Sequence, residues 1–133
     1  MSDYFDINLS PDEIRGISSI GLAHLGDAVY ELLVRTYLCA NGKATGKGLH
    51  RATVELVCAP KQAAWSENIL PLLNEEESAV FKRGRNANVN SIPAHASRSE
   101  YPQATALEAL FGWLYLNGEK ERINELFCVM MEE

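Results

Sequence analysis

The chain has 133 residues, of which 47% are hydrophobic and 23% are charged, and its formal net charge is −6. This length and composition are typical of one folded domain with one hydrophobic core, so we predict a single domain over residues 1–133. No apolar run is long enough to cross a membrane, and the acidic N-terminus lacks the basic-then-apolar order of a signal peptide. Both observations predict a cytoplasmic protein with no membrane partner.

The first half of the chain has helical patterns throughout. Ser10 and Pro11 are typical of an N-cap and the first residue of a helix. Apolar periodicity and flanking Gly, Asn and Pro residues predict helices at about residues 18–40, 49–58 and 61–70, with a loop at residues 45–48. Apolar residues nearly surround the axis of the helix at 18–40, so we predict that it is central and buried.

The second half is also helical, apart from one long segment. Asn74 is predicted to cap a helix whose first turn is acidic and whose last turn carries Arg83 and Arg85, which suits the helix dipole. Residues 86–102 have no sustained period, and we predict a functional or mobile loop there. Helices follow at about residues 103–116 and from residue 119 onward. With no convincing strand, the chain is predicted to be all-α.

Charge is unevenly distributed along the chain. Residues 35–98 contain nine Lys or Arg and five Glu, a net charge of +4. The remainder contains three basic and thirteen acidic residues, a net charge of −10. A local positive field can attract a polyanion even when the total charge is negative. The alternative is a solvated surface with an accidental asymmetry.

The three cysteines, Cys39, Cys58 and Cys128, are isolated and have no spacing typical of zinc ligands. We interpret them as buried thiols in a reducing compartment.

Two carboxylates lie within apolar helical sequence: Asp27 in the first half and Glu108 in the second. Because an unpartnered buried carboxylate is costly, this pattern indicates that the two meet, with a hard divalent cation as a natural reason. Gly26 precedes Asp27 in a helix interior, where glycine costs about 1 kcal/mol, so we expect something to approach the backbone closely there. The alternative is a pair of structural carboxylates bonded to other side chains.

Three segments resemble the ribonuclease III family. Residues 24–29, HLGDAV, resemble its signature helix, and residues 106–112, ALEALFG, resemble its second catalytic helix. Residues 81–87, FKRGRNA, are similar to the basic segment of one subfamily, Mini-ribonuclease III. The resemblance extends over roughly residues 17–127 and implies a ribonuclease III-like endonuclease domain of about seven helices.

The resemblance also implies an activity: Mg²⁺-dependent hydrolysis of phosphodiester bonds in double-stranded RNA, leaving 5′-phosphate ends. Asp27 and Glu108 would be the catalytic residues and the metal ligands. Two further acidic positions of the larger family are occupied by Ala23 and Thr105, which favours one Mg²⁺ over two. His24 is interpreted as a packed or hydrogen-bonded residue rather than a general base.

Partners follow from the same resemblance. Phosphate contacts are expected from four residues at the end of the basic helix: Lys82, Arg83, Arg85 and Asn86. A merely charged helix end is the alternative for these four residues. The family implies a homodimer, and the subfamily implies precursor of large-subunit (23S) ribosomal RNA as the substrate. Two other hypotheses stay open: a non-catalytic ribonuclease III-like RNA-binding module and a helical protein-interaction domain.

Overall fold

A computed structural model describes residues 2–41, 46–87 and 100–131. Within these ranges the regular structure consists of seven α-helices and one turn of 3-10 helix, without a strand. The helices are α1 (Pro11–Arg15), α2 (Ser19–Ala40), α3 (Gly46–Val57), α4 (Ala59–Ile69), α5 (Glu75–Arg85), α6 (Glu100–Leu116) and α7 (Lys120–Met131), with the 3-10 turn Leu70–Leu72 after α4. The prediction of an all-α fold with about seven helices is confirmed.

Three helices begin earlier than predicted, and α4 begins at Ala59 rather than at about residue 61. Helix α3 begins at Gly46, inside the predicted loop at residues 45–48. Helix α6 begins at Glu100, so the last three residues of the predicted irregular segment are helical. Pro102 is compatible with that start because the N–H groups of a first turn have no partner within the helix. Residues 88–99, which make up most of the predicted loop, lie outside the described residues.

Helix α6 is the centre of the fold, since ten of its 17 residues are buried. It packs against α2, α4, α5 and α7. The prediction that the helix at 18–40 is buried on nearly all sides was wrong: α2 packs one face on α6 and leaves Ile20 and Leu32 exposed on the other. No helix in the described ranges is both long and apolar enough to cross a membrane.

Glycines set how closely the helices pack on α6. A β-carbon at Gly26 of α2 would lie 1.6 Å from the carbonyl oxygen of Glu108, and one at Gly112 would lie 2.1 Å from that of Leu22. On α5, a β-carbon at Gly84 would lie 2.9 Å from the Cα of Ala106. The expected close approach of a backbone to Gly26 is therefore confirmed, and the approaching backbone is that of α6.

Helix α5 is held by its cap and by a buried ion pair. Asn74 accepts a hydrogen bond from the backbone of Glu77, and the Glu77 carboxylate accepts one from the backbone of Asn74, as in a capping box. Arg122 of α7 donates to both carboxylate oxygens of Glu77, each at 2.8 Å. Arg122 holds the pKa of Glu77 below its usual range.

The three thiols are free and exposed, so the prediction that they are buried was wrong. Cys39 lies in the last turn of α2, and Cys58 is the N-cap of α4. Cys128 lies on the outer side of α7. Helix ends and outer faces are not covered by the core, which local sequence does not reveal.

Candidate active site

The two carboxylates predicted to meet do so where α2 crosses α6. Close packing at Gly26 puts Asp27 next to the α6 backbone that carries Glu108. The pKa of Glu108 is raised to about 8, first by burial, then by the negative charge of Asp27 and a hydrogen bond between the two carboxyl groups. In the absence of a cation, Glu108 therefore retains a proton at neutral pH.

The pair is only partly enclosed. Asp27 is exposed, whereas Glu108 is half-buried. The pair is thus open to water on the α2 side and backed by the core on the α6 side. A cation or a phosphate could approach the carboxylates from solvent without any rearrangement of the core.

Two uncharged side chains complete the buried side of the site. Gln62 of α4 is 2% exposed, and its Nε2 donates to Oε2 of Glu108 at 3.3 Å. Tyr30 of α2 is fully buried, and its hydroxyl donates to the carbonyl of Leu56 at 3.0 Å. Burial raises the pKa of Tyr30, and the nearby Cys58 and Glu108 raise it further. The site thus draws on α2, α4 and α6.

Gln62 and Tyr30 were not predicted from the sequence as parts of the site. The available signal for Gln62 was its spacing: it precedes Trp65, Ser66 and Ile69 by three, four and seven residues, and all four are buried on α4. A polar residue at such a core position needs a hydrogen-bond partner. Nothing in the sequence identified Glu108 as that partner.

The acidic pair suits a cation that needs few protein ligands. In the described ranges there is no group of three or more His, Cys, Asp or Glu side chains that could hold a metal ion. Ala23 and Thr105, at the positions where the larger family has acids, are both packed in the interior. Two adjacent carboxylates whose proximity raises a pKa attract a cation, and Mg²⁺ is commonly held by one or two carboxylates with waters completing its shell. The residues present therefore fit Mg²⁺.

The four predicted phosphate-contacting residues lie at the end of α5. Lys82, Arg83, Arg85 and Asn86 are all exposed, and Asn86 is the C-cap. Within the described part of the chain, none of the three basic side chains forms an ion pair. Between them, Gly84 packs against Ala106 and Ala109, on either side of Glu108 in sequence. The basic end of α5 is therefore fixed to the segment of α6 that carries Glu108.

Arg83 also faces a separate groove. This groove of about 510 Å³ has Arg15, Trp113 and Asn117 among its lining residues. Neither Asp27 nor Glu108 lines it. The structure therefore brings the two carboxylates together, whereas Arg83, at the basic end of α5, faces a different surface.

His24 was interpreted as a packed or hydrogen-bonded residue; it is exposed, so the first of these alternatives was wrong. It lies on the outer side of α2 in a row spaced by four residues, which we call the α2 stripe: Ile20, His24, Ala28 and Leu32. All four side chains are exposed, and three of them are apolar. The stripe runs next to Asp27.

Comparison with known proteins identifies the family of the chain. Residues 21–119 match the family model of the ribonuclease III domain. The chain is 41% identical to Mini-ribonuclease 3 of Clostridium tetani, over 90% of this chain and 80% of that protein. It is 47% identical to Mini-ribonuclease 3 of Brevibacillus brevis, over 79% of this chain and 78% of that protein.

A solved structure is similar in fold as well. The crystal structure of a protein from Fusobacterium nucleatum superimposes with a TM-score of 0.83 at 33% identity, covering 91% of this chain and 98% of that one. The range matched by the family model, residues 21–119, contains both Asp27 and Glu108. The chain therefore belongs to the ribonuclease III family, endoribonucleases that act on double-stranded RNA, and within it to the Mini-ribonuclease III subfamily.

Proposed function

We propose that this chain is a Mg²⁺-dependent endoribonuclease that hydrolyses phosphodiester bonds in double-stranded RNA and leaves 5′-phosphate ends. The observation that carries the proposal is the meeting of Asp27 and Glu108 from two different helices at a surface open to solvent. We further propose that the chain acts as one catalytic domain and that its substrate is precursor of large-subunit (23S) ribosomal RNA, as the subfamily implies.

Each carboxylate has a distinct part in this proposal. When bound, Mg²⁺ would lower the pKa of a water and stabilise negative charge on the scissile phosphate. Glu108 supplies a ligand held from the core side by Gln62, and Asp27 supplies one from the exposed side. Glu108 must lose its proton to become a ligand, because its pKa of about 8 favours the neutral form at neutral pH.

RNA contact is assigned to the basic end of α5. Lys82, Arg83, Arg85 and Asn86 are exposed and can contact phosphates without reading bases. Duplex RNA is recognised mostly through its shape, 2′-hydroxyls and phosphates, which suits such a surface. Because Arg83 faces the groove beside α1, the four residues are expected to contact phosphates over a broad surface rather than at the scissile bond alone.

We propose that the protein is a homodimer that pairs through the α2 stripe. The apolar side chains of the stripe, among them Ile20 and Leu32, are exposed to water on α2, and a second copy would cover them. Because the stripe adjoins Asp27, such pairing would bring two acidic pairs near one another, so that each could cut one strand.

The free thiols support a cytoplasmic location, since thiols persist unpaired in reducing compartments.

Cleavage of long duplex RNA, with Mg²⁺ and with chelator, tests the function. The wild-type protein should cleave only with Mg²⁺, and Asp27→Asn and Glu108→Gln should each reduce the rate by about a thousandfold or more, because one of two charged ligands is lost. Asp12→Asn on α1 and Glu121→Gln on α7 are matched controls, since both acids are exposed and neither lies on α2, α4 or α6, the helices that form the site.

Each other outcome has a definite meaning. Wild-type rates in a folded Asp27→Asn or Glu108→Gln variant would contradict the site. RNA binding without any cleavage by the wild-type protein would instead support the non-catalytic RNA-binding module.

A further inference from the structure

Gln62 is a buried amide in a row of core residues on α4. It is 2% exposed and follows the same face as Trp65, Ser66 and Ile69. Burying an amide is unfavourable unless its polar atoms form hydrogen bonds. An apolar residue at this position would satisfy the core equally well, so packing alone does not account for glutamine.

The contact with Glu108 does account for it. The Gln62 Nε2 donates to one carboxylate oxygen of Glu108, Oε2, at 3.3 Å. Because Gln62 is enclosed by the core, its amide has little freedom to rotate. Its N–H group therefore stays hydrogen-bonded to Oε2 of Glu108. Gln62 thus leaves the other oxygen of Glu108, Oε1, to interact with Asp27 or with a cation.

The chemistry of alternative residues at position 62 explains why an amide suits the site. A Lys or Arg would pair with Glu108 and compete with a cation. An Asp or Glu would add a third negative charge to a buried region, and an aliphatic residue would leave a buried carboxylate oxygen without a donor. A neutral donor orients the carboxylate and leaves its charge for a cation.

We propose that Gln62 is a positioning residue, which holds the carboxylate of Glu108 in the orientation that binds the divalent cation. This inference rests on the proposed function of the acidic pair. With only two carboxylates at the site, each ligand must be well oriented, because no third His, Cys, Asp or Glu among the described residues is grouped with them. Hydrogen-bond partners of metal ligands commonly affect metal affinity by about 10- to 100-fold.

Direct metal binding tests the proposal without depending on cleavage. Gln62→Met removes the donor and keeps a similar unbranched shape, and Gln62→Leu is a second donor-free variant. Mn²⁺ affinity in the absence of RNA should fall about tenfold in both variants. Calorimetry, or the electron paramagnetic resonance signal of free Mn²⁺, measures this affinity. Ser66→Ala is the matched control: Ser66 is one turn further along α4, fully buried, and bonded to the carbonyl of Ala63 rather than to the acidic pair.

A second readout separates positioning from stability. If Gln62 orients a ligand, the cleavage defect of Gln62→Met should diminish as Mg²⁺ is raised, while the rate of Ser66→Ala should match the wild type at all concentrations. Thermal unfolding of both variants in chelator reports any general loss of stability. A purely structural role would lower the unfolding temperature of Gln62→Met and leave its Mn²⁺ affinity unchanged.

The outcomes distinguish this inference from the proposed function. Unchanged Mn²⁺ affinity in Gln62→Met, with affinity lost in Asp27→Asn, would overturn the role of Gln62 alone. Equal Mn²⁺ binding by the wild type and Asp27→Asn would overturn the metal site and this inference with it. If neither donor-free variant folds, Gln62 is required by the core itself, and the positioning role is likewise overturned.

Discussion

Gly26 and Glu108 are in backbone contact: a β-carbon at position 26 would lie 1.6 Å from the carbonyl oxygen of Glu108. This contact explains why a glycine occupies the interior of a long helix, where it costs about 1 kcal/mol relative to alanine. It also determines the site, because Asp27 follows Gly26 directly. The distance between the two carboxylates therefore depends on how closely the helices cross.

Gly26→Ala should destabilise the protein by about 3 kcal/mol, because the added methyl group must push α2 away from the main chain of α6. Urea denaturation measures this loss. Gly46→Ala is the matched control, since a β-carbon at Gly46 meets nothing within 4 Å. Gly46 lies in the first turn of α3, so alanine there should be neutral or stabilising by about 0.5 kcal/mol. Equal effects at the two positions would contradict the close crossing.

The stability of the metal-free protein should fall as pH rises from about 5 to about 8. In the unfolded chain Glu108 releases its proton near its ordinary pKa of 4.5, whereas the folded chain retains it up to about pH 8. The folded state therefore binds more protons than the unfolded state in this window, and its relative stability decreases with pH. Thermal unfolding in chelator at several pH values, compared with Glu108→Gln, measures the effect.

Glu108→Gln cannot ionise at this position, so its unfolding temperature should be less sensitive to pH over the same window. Mg²⁺ should compete with the proton on Glu108, so that binding releases protons below pH 8 and tightens as pH rises. Calorimetry in two buffers with different ionisation enthalpies reports that release. Identical pH profiles for the wild type and Glu108→Gln would contradict the raised pKa of Glu108.

Arg122→Met should destabilise the protein by about 3 kcal/mol, because it leaves the buried carboxylate of Glu77 without its partner. Glu77 is 2% exposed, and Arg122 also donates to the carbonyl of Leu72 at 2.7 Å. Arg35→Met is the control, since Arg35 forms a surface ion pair with Glu31 and should cost less than about 1 kcal/mol. Urea denaturation that ranks the two variants equally would contradict a structural role for the buried pair.

The double substitution Arg83→Gln and Arg85→Gln should weaken RNA binding. It should also reduce the slope of log binding constant against log salt concentration by roughly one to two units per protomer. The reason is the loss of two phosphate contacts that release counterions. Lys120→Gln is the control, because Lys120 is already paired with Asp6 on another surface. Binding of duplex RNA at several salt concentrations gives the slopes. An unchanged slope would contradict phosphate contacts at Arg83 and Arg85 and would indicate that another surface makes them.

Leu32→Glu should convert a dimer into a monomer, because it places a charge in the middle of the apolar α2 stripe. Val54→Glu is the matched control, because Val54 of α3 is an apolar residue of similar exposure that lies outside the stripe. Sedimentation at micromolar concentration distinguishes the two species. A wild-type monomer, or a Leu32→Glu dimer, would contradict pairing through this face.

Local features of the chain could be predicted from its sequence. Asn74 caps α5, and Ser18 caps a helix that ends at Ala40, because caps and helical hydrogen bonds involve residues within a few positions of one another. The meeting of Asp27 and Glu108 was also predictable, from the family resemblance and from the cost of burying a carboxylate, although only Glu108 is partly buried and Asp27 is exposed. That prediction required no knowledge of how the helices cross.

Only the tertiary structure decided which side chains are buried and which of them form hydrogen bonds with one another. Helix α2 is apolar on most sides, yet the core covers one face, which leaves Leu32 and His24 exposed. The same cause leaves the three thiols on the surface. Gln62 became part of the site because α4 packs across α6, a contact between residues 46 positions apart. Which face of a helix is covered depends on segments far away in the chain, so neither periodicity nor local motifs could assign it.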